Sequence, residues 1–242
     1  MNISSLMVTQ ISKGKPPADH VSDFILGVND YAETIDLDPP HRLAQFVPQI
    51  MHESGGLKWK AEIWGPTAQQ LRYERDFGQA WSRDNQRNRV AFNLGNTERG
   101  DGSRFRGYGF IQTTGRANVT AFFRWCDEHR LAPPDFVKEP QRIGTAPWSV
   151  ISALWFWDTR KLNALADQGE TELITIRING GRNGLEDRFS YAARTALVFL
   201  GYGPTAVAEF QRDHQLQADG VVGPRTRSAM HQALVALSRE VA

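Results

Sequence analysis

Apolar residues recur at three- and four-residue steps along most of the chain, a spacing that predicts helices. Val21, Phe24, Ile25, Val28 and Tyr31 form one such face, and Pro39-Pro40 interrupts it. Leu43, Phe46, Val47 and Ile50 begin a second helix. Pro48 lies inside that pattern, where its missing N–H predicts a kink or a later start of the regular part. The tandem Gly55-Gly56 should end it, because glycine loses the most backbone freedom in a helix. Further helices are expected through Val119, Phe122, Phe123 and Cys126, over Trp148 to Leu165, over Leu185 to Leu200, and from Pro224 onward. Pro224 suits a first helical position, and Ala229, Ala233, Leu234 and Leu237 share one apolar face after it. Trp155 and Trp157 sit inside an amphipathic run and read as core. Residues 1–20, punctuated by Gly14, Pro16 and Pro17, read as a short lead-in. Alternating apolar runs hardly exceed Leu173–Ile178, so the expected class is mainly α.

The 242 residues suit one large domain, or one medium domain with a small appendage. Hydrophobic residues at 40% and charged residues at 23% describe a folded globule rather than a disordered chain. A formal charge of +1 gives no polycation character, so no nucleic-acid partner is expected. The charge is uneven, however. Residues 72–116 hold nine arginines against five acids, which reads either as a solvated surface or as a groove that attracts an anionic polymer. Cys126 stands alone, so no internal disulfide can form. No apolar stretch approaches the ~20 residues of a membrane helix, and the first residues lack a signal-peptide pattern. The expectation is a chain made in the cytoplasm, without membrane insertion, that stays there unless something else releases it. Gly201-Tyr202-Gly203-Pro204 marks a junction, dividing the chain into 1–200 and 201–242. Some forty residues cannot build much of a core. The second piece should therefore lean on the first, through Leu234 and Leu237, or be an unusually compact module.

Most common chemistries fail on residue spacing. His52-Glu53 begins like a metallopeptidase HExxH, but the position four after His52 is Gly56, and no other histidines pair at ligand spacing. No metal site is expected. No Gly-x-Ser-x-Gly elbow exists, and Gly107-Tyr108-Gly109 lacks the third glycine or lysine of a phosphate loop. What remains is a carboxylate pair, Glu53 and Glu62, nine positions apart. Glu53 ends an apolar helix, where partial desolvation would raise a carboxyl pKa, as a general acid requires. Two carboxyls held across a groove are the minimum kit for hydrolysing a glycosidic bond. Spacing alone does not select this pair from the other acids.

Three strings are more specific: HESGGL at 52–57, GDGSRFRGYGFIQTTGRANV at 100–119 and INGGRNGLEDR at 178–188. Together they resemble the family 19, chitinase-like glycoside hydrolases over about residues 40–200. The nearest variety is the compact phage and bacterial one used as endolysins. The resemblance implies a lysozyme-like, two-lobed helical hydrolase with Glu53 as general acid and Glu62 as general base, needing no metal or organic cofactor. It also implies substrate contacts from Gln112, Thr114, Asn118 and Asn179, with Thr114 helping to place the attacking water. Arg188 is implied to be linked electrostatically to the base. Tyr108 stands where FRGRG members carry arginine, so one cationic contact is missing or replaced by stacking. Each residue also admits a plainer role: Thr114 as a helix cap, Gly107 and Gly109 as turn glycines, Gln112 and Asn118 as surface amides, Arg188 as a solvated charge. A phage-type lysozyme would want aspartate at 62 and threonine at 68, where this chain has Glu62 and Ala68.

The stretch AVAEFQRDHQLQADGVVGPRTRSAM, residues 206–230, resembles the second half of a helical peptidoglycan-binding module. The first half, with its own DG turn, is missing. The resemblance implies wall contacts at Asp219, Val221, Arg225 and Thr226; the plainer alternative is a C-terminal helical cap. Taken together, the resemblances imply a monomeric endolysin that cleaves the β-1,4 glycan of bacterial peptidoglycan by inversion. Its two carboxyls would then stand roughly 6.5–9.5 Å apart. It would wait in the host cytoplasm until a holin-type pore opens. A chitinase with the same machinery remains open, as does a non-catalytic wall-binding protein, which would predict loss of one carboxylate. The basic middle segment and the C-terminal module favour peptidoglycan, since chitin carries no charge.

Overall fold

The computed structural model describes residues 1–240, and these form helices joined by turns and loops. Among the described residues there is no strand; Ala61, Tyr108 and Thr113 make only isolated antiparallel bridges. The mainly α expectation holds. Two compact units divide the chain, one holding Met1–Lys58 with Trp157–Ala242, the other Trp59–Phe156.

The first unit is built around helix Pro40–Glu53, which packs against helices Leu185–Phe199 and Pro224–Glu240. Pro40 opens it at a position whose N–H would be orphaned anyway. Pro48 neither delays nor ends the helix, which runs on to Glu53. An interior proline costs about 3 kcal/mol, and here packing offsets it. Leu43, Phe46, Val47, Ile50 and Met51 are all at most 1% exposed, so the helix is buried on more than one face.

Three stretches of the chain differ from the expected elements. Residues Ser5–Ile11 are a helix rather than a lead-in, capped by the Ser4 hydroxyl, which accepts from the Met7 N–H at 3.2 Å. Only Val8 and Ile11 of its seven residues are buried, too sparse a pattern to read. The run expected from Trp148 to Leu165 stops at Thr159 and resumes as the short turn Asn163–Ala166, with Lys161 in the left-handed region between them. Leu173–Ile178 lies within helix Thr171–Asn179, whose buried residues Thr171, Ile174 and Thr175 follow helical steps. Trp155 and Trp157 are core residues, as expected.

The C-terminal segment packs inside this same unit. Met230 and Leu234 are each 3% exposed and approach Ala44 and Gln45 of helix Pro40–Glu53 around a small cavity of about 40 Å³. Leu237 is half-buried, so Met230 joins Leu234 as the main apolar anchor. Polar contacts finish the attachment. His41 bonds Ser238 (2.9 Å) and the Asp167 carboxylate (3.0 Å), and His231 bonds the Asp167 carbonyl (3.0 Å).

The second unit packs Phe105, Phe110, Phe122 and Phe136 at its centre, with the Phe122 and Phe136 rings stacked at 5.1 Å. Its irregular stretch before residue 88 is held by a buried amide. Asn88 is fully buried, donates to the carbonyls of Asp76, Gln79 and Ala80, and accepts from the Asp76 N–H. A side chain thus supplies the partners that regular structure would otherwise give. Gly115 allows helix Arg89–Leu94 to end against the start of helix Arg116–Glu128; a Cβ there would lie 2.6 Å from the Leu94 carbonyl oxygen. Asn96 completes the joint, accepting from the Arg116 N–H (2.8 Å) and donating to the Tyr73 carbonyl (3.0 Å).

Candidate active site

Glu53 is the last residue of its helix, and the residues after it explain why. The Ser54 hydroxyl donates to the Ile50 carbonyl (2.7 Å) and accepts from the Leu57 N–H (2.8 Å). Gly55 and Gly56 then turn the chain with φ of 64° and 73°, a region costly to other residues. The INGGRNGLEDR string closes around this end. The His52 ring lies so close to Gly184 that a Cβ there would collide with it, and His52 Nδ1 bonds Asp187 at 2.7 Å. Burial opposes the Asp187 charge, but hydrogen bonds from Lys13 and His52 outweigh it and hold that carboxyl below its usual range. Arg188, 1% exposed, donates from one guanidinium nitrogen to the Glu53 carboxylate and from another to the side-chain amide oxygen of the buried Gln49.

Two expectations change here. Glu53 faces a guanidinium rather than purely apolar surroundings, and its side chain is 26% exposed. Arg188 is paired with the candidate acid, whereas the resemblance linked it to the base. A buried guanidinium without a carboxylate would be costly, so the pair is also structural. Asn179 is exposed, and both ends of its side chain hold the loop that leads to Arg188. Its amide donates to the Asn183 carbonyl (2.8 Å), and its oxygen accepts from the Gly181 N–H (2.9 Å).

Glu62 belongs to the second unit and is clamped to the FRGYG string. Its N–H donates to the Gly107 carbonyl (2.8 Å), and its carboxylate accepts from the Gly107 N–H (3.1 Å). Gln70 holds the other carboxylate oxygen at 3.0 Å. That glutamine is only 5% exposed, and its remaining bonds fix it in place. It donates to the Ile63 carbonyl (2.8 Å) and accepts from the N–H groups of Thr67 (2.8 Å) and Gly65 (3.2 Å). Thr67 and Gln70 form a capping box at the start of helix Ala68–Leu71. The Tyr73 phenol lies near the Glu62 carboxylate; burial first, then the Glu62 charge, raises it above its ordinary pKa. Two donors, the Gln70 amide and the Gly107 N–H, thus hold this carboxyl. Gln70 and Tyr73 are absent from the sequence reading. The T-x-x-Q spacing at 67–70 carried a readable signal for the first, whereas nothing local marks Tyr73.

Gln112, Thr114 and Asn118 follow as a chain of contacts in this unit. Gln112 adopts φ of 57°, packs on Gly107 and donates to the Gly109 carbonyl (3.0 Å). The Thr114 hydroxyl donates to the Gln112 carbonyl (2.9 Å), and the exposed Asn118 amide to the Thr114 carbonyl (2.8 Å). Thr114 does not cap the next helix, whose N-cap is Gly115. Tyr108 is buried at 4% exposure, which pushes its phenol pKa up, and the Arg106 guanidinium lies 5.0 Å above its ring. Its stacking partner is therefore the protein's own arginine. The arginine-rich window is partly structural, since Arg116 pairs with Asp101 (2.6 Å) and Glu98 (2.7 Å). Arg72, Arg83, Arg87, Arg89, Arg99 and Arg104 are exposed.

In the C-terminal segment, a buried glutamine organises the turn. The Gln211 amide contacts Asp219 (2.9 Å), the Val221 carbonyl (3.0 Å) and Thr226 (3.1 Å), and its oxygen accepts from the Gly220 N–H (2.8 Å). Hydrogen bonds from the Val221 N–H and Gln211 hold the Asp219 carboxyl below its usual range. Thr226 is 4% exposed, and its hydroxyl serves the turn. Val221, 63% exposed, and Arg225 present their side chains outward, beside a pocket of about 480 Å³.

These features agree with what the chain is similar to. A glycosyl hydrolase family 19 domain-containing protein of Haemophilus influenzae is 36% identical over 157 residues, covering 60% of this chain and 74% of that protein. The chain belongs to glycoside hydrolase family 19. Residues 205–230 match the peptidoglycan binding domain family. Among solved structures, chitinase C from Streptomyces griseus superposes with a TM-score of 0.57 at 14% identity, covering 83% of this chain and 78% of that one. A bacterial family 19 chitinase gives 0.56 at 17% identity, covering 84% and 97%. The class IV chitinase of Zea mays gives 0.51 at 17% identity, covering 81% and 92%. At these identities the likeness concerns the fold.

Proposed function

We propose that this protein hydrolyses the β-1,4 glycan strands of bacterial peptidoglycan, as an endolysin-type lysozyme working by inversion. One observation carries the reading: family 19 membership and a peptidoglycan-binding match occur in the same chain. Glu53 protonates the glycosidic oxygen as the bond stretches towards an oxocarbenium ion. Glu62 takes a proton from the water that attacks the opposite face of C1. The Arg188 guanidinium orients Glu53 and stabilises the carboxylate left after proton transfer, through a charge-assisted hydrogen bond. Thr114 donates its proton to a backbone carbonyl, so its oxygen remains an acceptor for the attacking water. Gln112, Asn118 and Asn179 contact the sugars. Val221 and Arg225 are the most accessible wall contacts, with Asp219 and Thr226 shaping the turn that presents them. In a lysis role the protein acts on the wall from the host cytoplasm after a holin-type pore opens.

A chitinase reading has support of its own, since the superposed structures bear that name and the same carboxylates would serve. Digestion of purified murein, followed by mass spectrometry of the products, separates the two. The proposal expects new sugar reducing ends, N-acetylmuramic acid for a muramidase or N-acetylglucosamine for a glucosaminidase. Cleavage of chitooligosaccharides with murein left intact selects the chitinase; release of stem peptides from intact glycan overturns both.

A further inference from the structure

Helix Leu185–Phe199, which carries Arg188 to Glu53, turns another face towards the C-terminal segment. Phe189, Ser190, Arg194 and Leu197 on the helix, with Val222 and Arg227 opposite, line a pocket of about 570 Å³. That volume suits a small organic ligand or short peptide. Two guanidiniums border it, and among the described residues neither pairs with a carboxylate. Arg194 donates to the carbonyls of Gln10, Ile11 and Ser12. Arg227 donates to the Val222 carbonyl (3.0 Å) and lies 4.4 Å over the Phe189 ring. Carbonyls and a ring face satisfy donors without cancelling charge. Glu186, exposed, is the one acid on the lining, so the pocket keeps a net positive charge against partly apolar walls.

We propose that this pocket binds the free carboxylate end of a short peptide with small apolar side chains, the chemistry of a peptidoglycan stem. The identity of the polymer rests on the wall reading above; the preference for a carboxylate-ended peptide rests on the pocket. It is separate from the pocket beside Val221 and Arg225. Because it joins the segment matched to peptidoglycan binding with helix Leu185–Phe199 of the hydrolase, a stem held there tethers the glycan to the enzyme and raises its effective concentration.

The test uses the full chain, with N-acetyl-D-alanyl-D-alanine and its C-terminal amide titrated by NMR. The acid should bind at least tenfold more tightly than the amide. Arg227→Gln removes a charge, and Ser190→Trp fills the pocket from an exposed helix position. Each should weaken acid binding at least tenfold at an unchanged melting temperature. If Arg227→Gln does not fold, Ser190→Trp decides. Equal binding of acid and amide, parental binding by both variants, or binding of glycerol phosphate in place of the peptide overturns the proposal. Murein hydrolysis by the parent chain is scored in parallel. Its absence beside intact peptide binding counts against the wall reading and leaves the pocket standing.

Discussion

Glu62 depends on Gln70 as much as on its own backbone. Replacing Gln70 with alanine removes one donor to the carboxylate and leaves the Gly65 and Thr67 N–H groups without their acceptor. Buried polar groups left unpaired cost about 1–3 kcal/mol each, so Gln70→Ala should lower the melting temperature. Tyr73→Phe removes only the hydroxyl near the Glu62 carboxylate and leaves those buried hydrogen bonds in place. It should lower kcat with little change in KM or melting, and a variant with parental kcat would show that the hydroxyl plays no part at Glu62, the proposed base. At this scale the sequence was legible where residues are strung together, as in HESGG and FIQTTGRAN. It was silent where partners meet across long separations. Glu53 and Arg188 lie 135 positions apart and pair directly, whereas the resemblance links Arg188 to the other carboxylate. Asn88 and Tyr73 act through contacts that no local spacing announces.

Helices with a full apolar face could be read; those that touch the core at two points could not. The Pro40–Glu53 face and the Pro224 start were visible, whereas Ser5–Ile11 was hidden by its polar majority. The C-terminal helix shows both sides, since Leu234 was anticipated as an anchor and Met230 was not. Leu234→Ala should cost about 2–5 kcal/mol, the usual range for a buried leucine, measured by denaturant unfolding; a loss below 0.5 kcal/mol would mean the helix is only loosely attached. His231 makes the same attachment sensitive to pH. Burial lowers its pKa below the ordinary 6.5, and its Nδ1 has no partner. As pH falls through about 6.5 the unfolded chain takes up the proton first, so stability present above that value declines until the folded pKa is passed. His231→Gln should flatten the melting-temperature profile between pH 7 and 5. An unchanged slope would contradict this account.

For the whole molecule, the near-neutral total conceals an uneven surface. Six exposed arginines of the 72–116 window lie in the unit that holds Glu62. Exposed charges are screened over about 10 Å at 0.1 M salt. Wall lysis should therefore weaken as salt rises, while hydrolysis of a neutral chitooligosaccharide changes little; equal responses would remove the arginines from substrate capture. Deleting residues 204–242 would uncover the Pro40–Glu53 helix as well as remove the proposed wall contacts. Val221→Asp and Arg225→Glu are cleaner probes of the wall-binding role. Glu53 itself provides the most direct measurement. General acid catalysis contributes on the order of 10²–10⁴-fold, so the murein hydrolysis rate of Glu53→Gln should fall at least that far while the variant still folds. A Glu53→Gln protein that melts like the parent and cleaves murein at nearly the parental rate would contradict the assignment of the acid.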